Sequence, residues 1–393
     1  MLRVSRSRDQ PSTEKYSRTI DEDCDLSTNT TLLEDITLTP DHVAAVLRTL
    51  DKDKAHGPDG IPARLLTETA SVIAPSLCDL FNKSLRTGVV PREWKLANVV
   101  PVFKKAGDKE YVENYRPISL LSLISKVLER CLFECIKDRV FSQINPCQHG
   151  FIPGRNCVTQ LIEVFDTIGN LLDRGKQIDV LYLDMSKAFD KVSHTRLLLR
   201  LRDFGFSGNI LKRFQSYLQD RRQQTTILGA TSSPTPVTSG VPQGSILGPL
   251  LFLLYENGLP SSIVSSSIAT YADDTKLFKE INCLDDATAL QDDLLNFETS
   301  SSNAGLQLNT LKCKTLRVTR RRETIEHQYS LVNQTLETSK HEFDLGVWIS
   351  NNLTWRKQVL EQCSKANKLL GFVKRSTRNI TSQSARRALY LTL

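Results

Sequence analysis

The sequence carries nine cysteines but no C-x-x-C pair. Cys131 and Cys135 stand four apart in a helix-like run, without a His or Cys neighbour at zinc-ligand spacing. No zinc module is indicated, and the odd count fits free thiols in a reducing compartment better than a disulfide framework. Long apolar runs are also missing. The most apolar stretch, ILGPLLFLLY at 246–255, is interrupted by Gly248 and Pro249 and falls well short of the roughly 20 residues a membrane span needs. The N-terminal MLRVSRSRDQPSTEKYSRT has charge but no apolar segment of the secretory kind, so an intracellular protein with no membrane partner is predicted. No strong basic localisation cluster decides between nucleus and cytoplasm. There is no internal repeat and no low-complexity tract, and oligomeric state is not legible.

What is present is ordinary globular material: 393 residues, 40% hydrophobic and 24% charged, with a formal charge of +7. The basic excess gathers at Lys104–Lys105, Arg221–Arg222, Arg320–Arg322 and Arg386–Arg387, a distribution compatible with a polyanionic partner or with solvated surface.

Along the chain, residues 1–36 are polar and predict a mobile tail. Thr39-Pro40-Asp41 signals a helix to about Leu50, and Gly57-Pro58-Asp59-Gly60 a turn before helical patterns over 62–85. LANVVPVF at 96–103 predicts a strand, and apolar spacing predicts helices over 119–140 and 157–172. IDVLYLDM at 178–185 has the pattern of a buried strand ending in Asp184. Ser193 predicts the cap of a helix that Gly205 stops. Extended segments follow at 224–230 and 235–238, then a helix from Ser245 to Glu256. Further strand patterns lie within 306–319 and at 345–350, before a basic amphipathic helix over 354–374.

The segment IATYADDTKLFK, 268–279, sets Asp273 beside Asp274 between two strand patterns. Alone, the pair reads equally as a solvated turn. A hairpin there, next to the strand ending in Asp184, would bring three carboxylates together. That arrangement suits hard divalent cations, two of which roughly 3.5–4 Å apart can drive in-line phosphoryl transfer. SGVPQGSILGP, 239–249, predicts a tight loop that lets backbone approach a ligand, followed by a helix N-terminus that favours phosphate.

In order, NYRPISLLSLISKVLER, QHGFIPGRNCVTQL, LYLDMSKAFDKVSH, TSGVPQGSILGPLLF, YADD, LQLNTLKCK and DLGVWIS resemble the successive blocks of reverse transcriptases, more narrowly those of non-LTR retrotransposons of the LINE or jockey type. GPDGIP resembles the extension before the fingers in that lineage. The resemblance implies an α+β right-hand polymerase with fingers, an antiparallel-sheet palm and a partial thumb. By it, 37–94 is a helical N-terminal extension, 95–350 fingers and palm, and 351–393 the start of a truncated thumb, in a chain lacking the endonuclease. It implies RNA-directed DNA polymerisation, with an RNA template, a DNA primer and dNTPs as partners. Asp184, Asp273 and Asp274 match the catalytic ligands of two Mg²⁺, with Mn²⁺ as a substitute, whereas Asp190 matches a structural position. Phe189 matches the steric gate against a 2′-hydroxyl, Gln243 and Gly244 the nucleotide pocket, Arg116 a triphosphate contact and Lys312 a proton donor to pyrophosphate. Arg356, Lys357, Lys365, Lys368 and Lys374 would track the duplex backbone, or form an ordinary solvated face. YENGLP departs from the family's Asn-Asp pair, with Gly258 in place of the acid, which implies weaker local capping. Two other readings follow from the same residues: a catalytically silent remnant that binds RNA or DNA, and an RNA-directed RNA polymerase, against which YADD and Phe189 argue.

Overall fold

The structure, a computed structural model, describes residues 33, 35–105, 107–378 and 380–392. The tail expected over 1–36 lies mostly outside the described residues. Where it is described it is docked: the Leu33 amide donates to the Gly205 carbonyl at 2.9 Å, and Leu33 and Ile36 pack on the core.

Local signals explain most helices. Thr39 caps α1 (Pro40–Arg48) by accepting from the His42 amide. After the 57–60 turn come α2 (Ala63–Glu68) and α3 (Ala70–Thr87), which Gly88 ends in the left-handed region. Strands β1 (Leu96–Phe103) and β2 (Tyr115–Leu120) form an antiparallel pair. The helix expected from 119 therefore starts later, as α4 (Leu123–Phe141), capped by Ser122. Residues 119–120 are strand because β1 offers their backbone a partner, Ser119 facing Val99. An Asn156–Thr159 capping box opens α5 (Cys157–Asp173).

Strand β3 (Gln177–Leu183) leads through α6 (Ala188–Lys191) to α7 (His194–Asp203), capped by Ser193, and α8 (Gly208–Leu218). Then follow β4 (Arg222–Ile227), β5 (Ala230–Thr231), β6 (Thr235–Pro236) and α9 (Leu247–Glu256). β7 (Ser267–Tyr271) and β8 (Asp274–Ile281) form a hairpin before α10 (Leu284–Asn303). Of the 306–319 pattern only β9 (Lys314–Val318) is a strand. A small hairpin, β10 (Ser330–Leu331) with β11 (Gln334–Thr335), precedes β12 (Glu337–Ser339). The strand expected over 345–350 splits. Leu345 and Gly346 have φ of 44° and 97° and make the turn between β13 (His341–Asp344) and β14 (Val347–Ser350). Helices α11 (Arg356–Ser376) and α12 (Gln383–Thr392) end the chain.

The chain is thus α+β. One sheet runs β2-β1-β4-β5, with β6 beside β4 and β1 parallel to β4. The other runs β12-β9-β3-β8-β7, antiparallel apart from the β9–β12 pair. Period-two alternation divides the second sheet's side chains between two cores. Leu181, Leu183, Leu277 and Ile281 face the large core shared with α9 and α10. Ile178, Val180 and Phe278 face Val164 and Ile168 of α5 and Ile349 of β14. Helices α1–α3 share the large core with α4, α7 and α8.

Candidate active site

Register sets two of the three aspartates side by side and the third in the adjoining turn. Leu183, the last residue of β3, pairs with Thr275 of β8, which sets Asp184 beside Asp274. Tyr271 pairs with Asp274, so the central residues of the hairpin turn are Ala272 and Asp273 rather than the two aspartates. Ala272 takes φ 53°, an unfavourable choice for a residue with a Cβ. Gln148 holds it there. Its Oε1 accepts from the amides of Ala272 (2.9 Å) and Gly150 (2.6 Å), and its Nε2 donates to Glu256 at 2.7 Å. A Cβ on Gly150 would stand 2.3 Å from the Ala272 nitrogen, so only glycine lets this segment lie against the turn. Asp184 is fixed through its backbone: its carbonyl accepts from Asn309 at 2.8 Å, and its amide donates to the Cys313 sulfur at 3.4 Å.

The electrostatics are those of crowded acid. Removal from water raises the Asp273 carboxyl above the ordinary range, and Asp184 adds to the shift. Asp274 is pushed up to about 6, first by the protein that displaces water around it, then by Asp273 and Asp184. Glu256, buried behind the turn, is raised well above the carboxylate range by burial and then by Asp273. The Lys312 ammonium lies 3.1 Å from Asp184 Oδ2. Among the described residues, no three carboxylate, imidazole or thiol groups stand close enough to share one ion. The donor set is nevertheless all hard oxygen, and its crowding of negative charge fits a hard cation.

The Phe189 ring stacks on Phe252 at 4.5 Å and meets Phe151 edge-on at 6.0 Å. Gln243 Nε2 donates to Asp190 Oδ1 at 3.3 Å, which joins the 239–249 loop to the Phe189 turn. One expectation for this loop is corrected, the helix N-terminus that favours phosphate. The loop's close backbone approaches are to protein: a Cβ on Gly240 would meet Asp190 and Phe189 backbone at 2.8 Å, and one on Gly244 (φ 120°) the Ser119 carbonyl at 2.7 Å. The N-terminus of α9 is also occupied, because Ile246 and Leu247 donate their amides to the fully buried Glu129 at 2.9 and 3.2 Å. It does not offer those groups to phosphate.

Arg116 is exposed on β2, close enough to Asp273 to offset part of the upward shift of its carboxyl. The five basic residues of α11 lie on a helix with no buried residue. Lys357 pairs with Glu361 at 2.8 Å and lies over the Trp348 ring, while Lys365 lies over Phe343. None of the five forms an ion pair with the three aspartates. Gly258 costs no visible cap: Asn257 binds the Asn145 amide and the Gln143 carbonyl, and a Cβ at 258 would meet Arg200 at 2.8 Å. Gln148, Glu129 and Cys313 escape sequence reasoning, although Gln148 stands in the QHGF block. Their partners are more than a hundred residues away.

The carboxylate-bearing sheet and its hairpin turn agree with a wider comparison. Residues 103–362 match the family described as reverse transcriptase (RNA-dependent DNA polymerase), and the chain belongs to that family. Among known proteins it is similar to the probable RNA-directed DNA polymerase from transposon BS of Drosophila melanogaster, 27% identical over 96% of this chain and 43% of the relative. It is 32% identical to that of the fly's X-element, over 82% of this chain and 36% of the relative. The polymerase of the mobile element jockey from the same fly is 30% identical over 70% of this chain and 31% of its own length. The chain thus spans less than half the length of these relatives.

Proposed function

We propose that this chain carries out RNA-directed DNA synthesis for a mobile element of the jockey type, joining dNTPs to the 3′-hydroxyl of a DNA primer on an RNA template. The observation that carries the reading is the register that sets Asp184 beside Asp274, with Asp273 in the adjoining turn, at the joined ends of β3 and β8 in a chain of this family. On this reading the five-stranded sheet containing β3 and β8 is the palm, β1, β2 and their surroundings the fingers, and α11 the start of the thumb. The three aspartates would hold two Mg²⁺, or Mn²⁺, which supply charge neutralisation and activation of the attacking hydroxyl.

The remaining roles belong to this chain's own side chains. Phe189, braced by Phe252, stands where a sugar 2′-hydroxyl would clash with it. Gln243 and Gly244 border the same pocket. Arg116 offers a guanidinium to the triphosphate. Lys312, beside Asp184, can pass a proton to departing pyrophosphate. Arg356, Lys357, Lys365, Lys368 and Lys374 supply sequence-independent phosphate contacts.

Primer extension on an RNA template, run beside Asp273→Asn, tests the reading. Wild type extends and the variant retains template binding but falls by at least about a thousandfold, a loss comparable with removing a major electrostatic element. Equal activity in the variant would overturn the carboxylate assignment. Absent synthesis in both, with binding intact, would leave the silent remnant as the function.

A further inference from the structure

Phe151 breaks two local rules at once. Its φ of 60° lies in the left-handed region, which is unfavourable for a residue with a Cβ, and its large apolar residue surface is 48% exposed. Neither choice serves the core. Backbone strain that a fold holds without a packing reason points to a functional contact.

The backbone on both sides of Phe151 is held firmly. His149 donates its amide to the Thr270 carbonyl of β7 at 2.9 Å, and Thr270 returns a bond to the Cys147 carbonyl at 3.0 Å. Arg155 Nη1 closes the loop by donating to the carbonyls of Pro146 (2.7 Å) and Gln148 (2.6 Å). Gln148 ties the same loop to the Ala272–Asp273 turn. The ring so presented reaches Phe189: the two meet edge-on, with centroids 6.0 Å apart and planes at 80°, a favoured aromatic geometry. Phe252, stacked on Phe189 with planes at 15°, is wholly buried and has no room to yield. Phe151, nearer the surface, is therefore the contact that decides whether Phe189 can swing outward.

We propose that Phe151 is a positioning residue for Phe189: it confines that ring against Phe252 and so keeps it where a sugar 2′-hydroxyl would clash. Sugar choice then depends on a residue of the 148–155 loop as well as on Phe189 itself. Because Gln148 of the same loop holds the turn that carries Asp273, one support places both the turn and the ring.

The consequence for sugar choice rests on the polymerase reading; the confinement of the ring does not. The test compares wild type, Phe151→Gly and Phe151→Tyr. Glycine adopts positive φ readily, so Phe151→Gly keeps the loop and removes the ring, whereas Phe151→Tyr keeps both. In extension on an RNA template, the ratio of kcat/KM for dNTP to that for rNTP should fall at least tenfold in Phe151→Gly, through gained use of rNTP, and hold its wild-type value in Phe151→Tyr. An unchanged ratio in Phe151→Gly would overturn the proposal. So would loss of dNTP and rNTP use by the same factor, which marks damage to the loop alone. With para-fluorophenylalanine placed at position 189, transverse relaxation of its fluorine signal should slow at least twofold in Phe151→Gly as the ring gains freedom. If wild type makes no DNA, the polymerase reading fails separately, and relaxation alone decides the confinement: slower relaxation in Phe151→Gly sustains it and equal relaxation overturns it.

Discussion

Gln148 uses both ends of its amide on one hairpin turn. Its oxygen satisfies two backbone amides and its nitrogen the buried Glu256. Gln148→Ala leaves these groups without that partner at a cost of about 1–3 kcal/mol each where water cannot replace it. Urea unfolding should show a loss of about 2–4 kcal/mol, and extension should fall more than tenfold because Asp273 rides on the turn. A variant with wild-type stability would refute the latch. Asp274 gives a pH signature. Its folded carboxyl titrates at about 6, above the value of about 4 expected in the unfolded chain. The contribution of this proton to stability is therefore fully present below about pH 4 and lost as pH rises through 6. In metal-free buffer, Asp274→Asn should raise the melting temperature at pH 8, and the gain should shrink toward pH 4.5. The residue is exposed, so solvent screens part of the effect and the gain should be small. An equal gain at both pH values would contradict the assignment.

At the scale of elements, α9 depends on a residue from another helix. Glu129, buried in α4, receives the first amides of α9. It also offsets the buried Arg213 guanidinium, which burial nonetheless lowers to about 10. Glu129→Ala should cost about 3–5 kcal/mol in chemical denaturation, since it strands two amides and weakens compensation of a buried cation. A loss below about 1 kcal/mol would show that water replaces the carboxylate. The same contrast between local and distant partners explains what the sequence made legible. Caps on α1 and α7 were readable because Thr39 and Ser193 act on their own first turns. β3 and the β7–β8 hairpin are readable from apolar runs with turn residues between, and with them the place of Asp184 beside Asp274. Residues 119–120 were misread as helix because their deciding partners lie across β1 and in the 239–249 loop. The Gln148 contact joins residues 124 positions apart, and nothing in local spacing encodes it.

For the whole molecule, the basic residues of α11 differ in how far they are committed. Lys357 and Lys365 lie against Trp348 and Phe343, and Lys357 is paired with Glu361. Lys368 and Lys374 lie farther along the helix. If α11 follows a duplex backbone, replacing both of these with Ala should reduce the slope of log K against log salt by about 1–2, since each phosphate contact contributes roughly 0.7–0.9. An unchanged slope would make the helix a solvated face.

The order of strands in the larger sheet has a further consequence. β3 lies at its centre, yet both neighbours, β8 and β9, come later in the chain. On the ribosome the apolar run QIDVLYL emerges with neither backbone edge paired, and at bacterial to eukaryotic rates of ~5–20 residues per second it waits on the order of ten seconds for β8. Throughout that interval the nascent chain already contains Asp184 but has no sheet to place it in. Its bare central strand is open to pairing with other chains until β8 and β9 emerge.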